Sequence, residues 1–200
     1  MRLLVSVRDV PEALLAASGG ADFIDLKEPR GGALGGLPVE TIAAIVQALR
    51  GQGCLLPISA TIGDLAMDDL GAILARVAAV AACGVDYVKV GIERQPQAYA
   101  VLDALAASGH AVVPVFIGDR GLDGQAVEHA CALRFPALMV DTADKQVGSL
   151  FDVLSEVELR RFVARVRASG ALVGLAGALR RPQLPALQAL DPDFAGFRSA

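Results

Sequence analysis

Residues 20–27 read GADFIDLK, and residues 84–91 read GVDYVKVG. Each opens with a glycine suited to ending a helix, followed by an Asp, an aromatic and a run whose period of two is that of a strand. Residues 191–198, DPDFAGFR, are a weaker third copy. Repeated junctions of this kind are expected of a chain built from successive βα units, although Gly-x-Asp also recurs at such junctions for local reasons. The echo sets a register: Asp25 is equivalent to Lys89, and Lys27 lies two residues beyond Asp25 on the same face.

Outward from these segments, short apolar runs alternate with helical patterns. Strands are predicted at 2–7, 23–27, 55–61, 87–92, 111–117, 137–142, 172–177 and 194–198. Helices are predicted near 11–18, 38–50, 68–83, 96–108, 124–134, 155–169 and 182–190. Eight strands separated by seven helices, without a linker or a shift in composition, predict one α/β domain over residues 1–200, a (β/α)8 TIM barrel. A flavodoxin-like or Rossmann sheet of five or six strands is the alternative. The last strand runs to the end of the chain, so the eighth helix of the pattern is missing from it.

The composition suits such layers. Over half of the 200 residues are hydrophobic, 4% are aromatic, and the mean hydropathy is +0.51, as expected where strands are buried on both faces. That apolar fraction also points to a homo-oligomer. No run is long enough to span a membrane; residues 70–83 are interrupted by Arg76 and read as a buried helix. A net charge of −4 and the lack of a basic stripe with interleaved aromatics argue against a nucleic-acid partner. The arginines of ELRRFVARVR have helical spacing and read as a solvated face. Cys54, Cys83 and Cys131, far apart and odd in number, read as reduced thiols of a cytoplasmic protein. Two histidines offer too little for a His-based metal site, and neither a metal nor a cofactor is expected.

Against fifteen arginines stand only three lysines, Lys27, Lys89 and Lys145, each at or just past a strand end. Lysine can lose its proton and attack a carbonyl, which arginine cannot. Active sites of (β/α)8 barrels form where strands run into the following loops, and alternate strands feed the same internal layer. Strands two, four and six therefore bring Asp25, Lys27, Lys89 and Asp141 together. A lysine in water has a pKa of about 10.4, so neutrality at pH 7 needs a shift of roughly three units, on the order of 4 kcal/mol. A second ammonium and partial desolvation both push that way. The pattern suits a Schiff-base nucleophile beside a proton-transferring amine, with the aspartates orienting both; a static Asp–Lys network tying strands together is the alternative. Arg8 and Ser59 stand on the same rim as candidate substrate contacts. Gly177, Gly196 and Arg198, at the ends of strands seven and eight, are candidates for phosphate, which barrels commonly bind there. Residues 28–36, EPRGGALGG, carry Arg30 and read as a mobile cover rather than a dinucleotide cradle.

GADFIDLKEPRGGALGGLP, PISATIGD, GVDYVKVGI, MVDTADK followed by SLFDVLS, and GLAGAL followed by GFR run in order along essentially the whole chain. In these motifs the chain resembles the (5-formylfuran-3-yl)methyl phosphate synthase family. The resemblance implies a cytoplasmic, TIM-barrel lyase that condenses two molecules of glyceraldehyde 3-phosphate. One phosphate and water are released, and the furan aldehyde formed is a precursor of methanofuran-type one-carbon carriers. It implies that Lys27, in IDLK, forms the Schiff base, and that Lys89, in YVKVG, transfers protons. VDTxxK assigns functional places to Asp141 and Lys145, and Asp25 falls in the same cluster. Another Schiff-base aldolase or dehydratase, or a phosphometabolite-binding barrel without turnover, are the competing readings.

Overall fold

The computed structural model describes residues 1–28, 31, 34–144 and 148–198. Eight parallel strands close a barrel: β1 (Arg2–Val7), β2 (Phe23–Leu26), β3 (Ile58–Thr61), β4 (Tyr87–Ile92), β5 (Val112–Ile117), β6 (Ala137–Asp141), β7 (Leu172–Leu175) and β8 (Phe194–Phe197). Each pairs with its sequence neighbour, and β8 pairs back onto β1. The helices are α1 (Val10–Ser18), α2 (Val39–Gly51), α3 (Leu70–Ala81), α4 (Ala98–Ala107), α5 (Gly124–Ala132), α6 (Leu150–Val153), α7 (Glu156–Ala168) and α8 (Leu184–Leu190). The fold is the TIM-type barrel that the alternation predicts. None of the described helices is long and apolar enough to cross a membrane.

Local sequence starts the helices where the reading expects them. Asp9, Asp69 and Asp123 each accept a backbone N–H in the first turn of α1, α3 and α5. Ser155 and Glu158 form a reciprocal capping box on α7. Several element ends fall one or two residues inside the expected ones, and two larger departures have a local cause. β3 begins at Ile58 rather than 55, after Pro57, whose carbonyl accepts from Ile24 N–H at 3.0 Å; proline has no N–H to extend the ladder. The short α6 was not foreseen, since four residues show no period, although Ser149 and Asp152 cap it.

The repeated junction has a structural reason. In each copy the aspartate accepts the backbone N–H of the preceding strand: Asp22 from Leu3 at 2.7 Å, Asp86 from Ile58 at 2.7 Å and Asp193 from Val173 at 2.8 Å. The motif closes the N-terminal end of the barrel and supplies acceptors that the ladder lacks there.

Side chains divide by strand parity. Ile24, Leu26, Ile58, Val88, Val90, Leu138, Val140 and Val173 face outward onto the helices. Leu4, Val113, Val115, Ala137, Met139 and Phe194 fill the inside, with Phe23 and Tyr87 packed against them. Gly174 leaves room for the Phe194 ring, which would lie 2.5 Å from a Cβ there. The inner layers at the N-terminal end are thus a largely apolar floor. Because Ile58 is fully buried, Asp86→Ala should cost about 1–3 kcal/mol by orphaning its N–H. Asp22→Ala, at an exposed junction, should cost less; urea unfolding of the two variants checks the order.

Candidate active site

Above the floor, β2, β4 and β6 deliver two lysines and two aspartates. Lys27 Nζ lies 2.9 Å from Asp141 Oδ2, and Lys89 Nζ lies 3.0 Å from Asp25 Oδ2. All four residues are buried, with relative exposures of 5%, 4%, 2% and 1% for Lys27, Asp141, Lys89 and Asp25. Charges so placed persist only when paired and hydrogen-bonded. The remaining oxygens are accordingly occupied. Ser59 Oγ donates to Asp25 Oδ1 at 2.6 Å and Ser6 Oγ to Asp25 Oδ2 at 3.2 Å, while Thr142 N–H donates to Asp141 Oδ1 at 2.7 Å.

Burial alone would raise the Asp25 carboxyl. The positive charges of Lys89 and Lys27, with the Ser59 hydrogen bond, overcome it and hold the group below its usual range. Asp25 is therefore an anion that fixes the Lys89 ammonium from below.

A cavity of about 390 Å³ opens over this network. Ser6, Asp25, Lys27, Lys89 and Asp141 form its polar floor and near wall. Gly177, Ala178 and Arg180 after β7, with Gly196 and Arg198 at β8, form the far wall. Gly177 has φ +116, and a Cβ there would stand 2.8 Å from Thr142 Cγ2, so glycine is required where this loop passes β6. Arg198 also reaches Glu12 at 3.4 Å and stays partly open to the cavity. The arrangement offers an amine at depth and two guanidinium groups at the rim, which suits a short molecule with a carbonyl at one end and an anion at the other.

Of the residues singled out in the sequence, Lys27, Lys89, Asp25 and Asp141 meet in one layer, and Gly177, Gly196 and Arg198 line the cavity above it. Two expected substrate contacts are placed elsewhere. Arg8 is 42% exposed at its side chain and pairs with Glu12 at 3.2 Å, so helix α1 and not the cavity holds it. Ser59 sits beside Asp25 in the β2–β3 register and spends its hydroxyl on that carboxylate, below the cavity. Lys145 and Arg30 lie outside the described residues. The sequence reading missed Ser6, though the Leu4–Ser6 alternation on β1 signals it, and Arg180, the first charged residue after the GLAGAL turn.

The rim residues of the odd strands do something different. Thr61 donates to Gly35 O at 2.8 Å, and Asp64 accepts Leu34 N–H at 2.9 Å. Asp119 accepts the N–H groups of Ala143 and Asp144 at 2.6 and 3.0 Å. They pin the loops after β2 and β6. The described part of the segment expected to be a mobile cover is tied down in this way, with Leu34 buried at 1% exposure.

Fold and site together define a TIM-type barrel with a paired-lysine centre. Its backbone superposes on phosphoribosyl anthranilate isomerase from Thermus thermophilus with a TM-score of 0.66 at 20% identity, covering 99% of this chain and 87% of that one. Thiamine phosphate pyrophosphorylase from Pyrococcus furiosus gives 0.64 at 15% identity, covering 99% and 85%; at such identities the likeness is one of fold. Residues 3–200 match the family model for 4-HFC-P synthase, and the chain belongs to that family. It is 39% identical over 98% of its length to a Methylorubrum extorquens protein provisionally named (5-formylfuran-3-yl)methyl phosphate synthase, covering 80% of that protein. Relatives of the same name from Methanosarcina acetivorans and Methanopyrus kandleri are 34% and 36% identical. The match covers 99% and 100% of this chain, and 89% and 88% of theirs. Family membership supports an enzyme, a synthase of this kind.

The lowered Asp25 carboxyl makes a pH prediction. With a folded pKa below the ordinary 3.8, it stabilises the protein above that range, and the contribution is lost as pH falls through the folded value. Ser59→Ala removes a donor, moves the folded pKa upward, and should cost about 1.5–3 kcal/mol at neutral pH. The acid unfolding midpoint should move to higher pH; thermal melts between pH 3 and 7 measure it.

Proposed function

We propose that this protein is a cytoplasmic lyase that condenses two molecules of glyceraldehyde 3-phosphate into (5-formylfuran-3-yl)methyl phosphate through a Schiff base on Lys27. The observation that carries the reading is the position of Lys27. The residue is 5% exposed and lines a 390 Å³ cavity, and its amine is 2.9 Å from Asp141. The names of the family's members support the product, and the two arginines at the rim suit phosphorylated substrates.

The geometry supports a chemical role for each residue. Asp141 is in hydrogen-bond reach to take the ammonium proton, leaving Lys27 Nζ a lone pair for the carbonyl carbon of the first triose. Addition followed by loss of water gives an iminium, which acidifies the adjacent C–H. Lys89, held by Asp25, exchanges that proton with the carbon. The enamine electrons are then available to expel phosphate or to attack the aldehyde of the second triose. Ring closure, dehydration and release of the lysine complete the furan. In total, one phosphate and two waters leave the six carbons, and no electrons are gained or lost. Arg198 and Arg180, on the loops after β8 and β7, neutralise the phosphate dianions. This assignment draws on small-molecule substrates alone, without a nucleic-acid or membrane partner.

Borohydride added with glyceraldehyde 3-phosphate should leave a reduced adduct on the Lys27 peptide, and Lys27→Ala should abolish both adduct and turnover. Lys89→Ala should lower turnover by about 10²–10⁴-fold, the span of a lost proton-transfer group, while the Lys27 adduct still forms. The furan chromophore and released phosphate should rise together, one for one. Activity that survives Lys27→Ala would sink the mechanism.

A further inference from the structure

Arg180 lines the cavity over the lysines, yet it sits outside any strand or helix. Just before it, Gly177 at φ +116 and Ala178 at φ +44 are both left-handed. The Ala178 Cβ disfavours that conformation, which persists where contacts from outside fix it. The loop after β6 provides them. Leu150 N–H donates to Gly177 O at 2.8 Å, and Gln183 ties down the rest. Its Nε2 donates to Ser149 Oγ at 2.5 Å, and its Oε1 accepts Arg180 N–H at 2.9 Å. Ser149 is fully buried and donates its hydroxyl and its N–H to Asp152 Oδ2, each at 2.7 Å.

The polarity of this relay is fixed at both ends. A carboxylate only accepts, so the Ser149 hydroxyl proton goes to Asp152 and its lone pair is left for an amide N–H. A backbone N–H only donates, so the Gln183 carbonyl faces Arg180. The Arg180 charge reaches the same cluster. The Asp152 carboxyl is held below its usual range by the Ser149 hydroxyl first, then by the Ser149 N–H, and less by the Arg180 guanidinium. Gln183 itself does not line the cavity. Building on the reading that Arg180 neutralises a substrate phosphate, we propose that Gln183 is a positioning residue. It acts through Arg180, locking that backbone to the loop after β6 so that the guanidinium stands at the rim before the phosphate arrives. A donor held in place beforehand avoids the ordering cost that a loose arginine would incur on binding.

The test uses glycerol 3-phosphate, which has the phosphate and no carbonyl, so its binding is independent of Lys27 chemistry; calorimetry on the full chain reads it. Gln183→Met, which keeps the length of the side chain and lacks both polar groups, should weaken binding about 3–10-fold, and Gln183→Ala should match it. Arg180→Ala should weaken binding about tenfold or more. Adding Gln183→Met to Arg180→Ala should cost less than about twofold further, as expected of a residue that acts through the other. A merely structural role would lower the melting temperature and move binding equally with or without the arginine. Binding unmoved in both Gln183 variants, or the full loss repeated on top of Arg180→Ala, overturns the positioning role, and so does a wild-type chain that does not bind glycerol 3-phosphate. Borohydride trapping of glyceraldehyde 3-phosphate on Lys27 in the wild type then leaves the Schiff-base reading standing. Weakened binding in the Gln183 variants alone, with no wild-type adduct, upholds the positioning role and overturns the Lys27 reading.

Discussion

Four buried charges on three alternate strands are the constraint on which this structure turns. Lys27–Asp141 joins the end of β2 to β6 across the barrel interior, and Lys89–Asp25 bridges β4 and β2 past the intervening β3. Removing such charges from water costs several kcal/mol per ion, which pairing repays only with good geometry and further hydrogen bonds. Ser6, Ser59 and Thr142 provide those bonds. An apolar replacement would serve stability as well or better, so the chemistry of an amine beside a carboxylate is the better account of why these residue types stand here.

The rest of the barrel is arranged around that layer. Beneath it, Leu4, Phe23, Val113, Met139 and Phe194 close the interior against water. Above it, glycines at 177 and 196 thin the wall where the cavity opens. The division of labour between strands follows from closure: even strands send charge inward, while Thr61 of β3, with Asp64 and Asp119 in the loops after β3 and β5, bonds to the backbone of neighbouring loops. A polar residue near a strand end thus has two destinations, the buried charged layer or the backbone of a neighbouring loop.

Much of this was legible in the sequence, because strand alternation has a period of two and the GxDF/Y junction repeats. Asp25, Lys27 and Lys89 could be put on one face from the echo alone. Ser59 and Arg8 could not be placed, since a serine on an inner face and an arginine at a strand end look alike whether they touch a ligand or a neighbouring carboxylate. Ser59 was claimed by Asp25 through the β2–β3 register, and Arg8 by Glu12 one helical turn ahead. Arg180 was hidden because its loop has no period, and Leu34 because a glycine-rich segment gives no sign of entering a barrel.

Local pattern was therefore enough to settle the number and order of strands, the helix caps and the convergence of two lysines with two aspartates. These depend on residues near in sequence and on a topology with few alternatives. Which lysine meets which aspartate, which serines serve Asp25, and that Leu34 packs over Gly91 were decided only when the barrel closed. Those contacts join residues up to 114 positions apart, as for Lys27 and Asp141. At such separations no periodicity carries information about distance, and packing in a shared interior is what selects the partner.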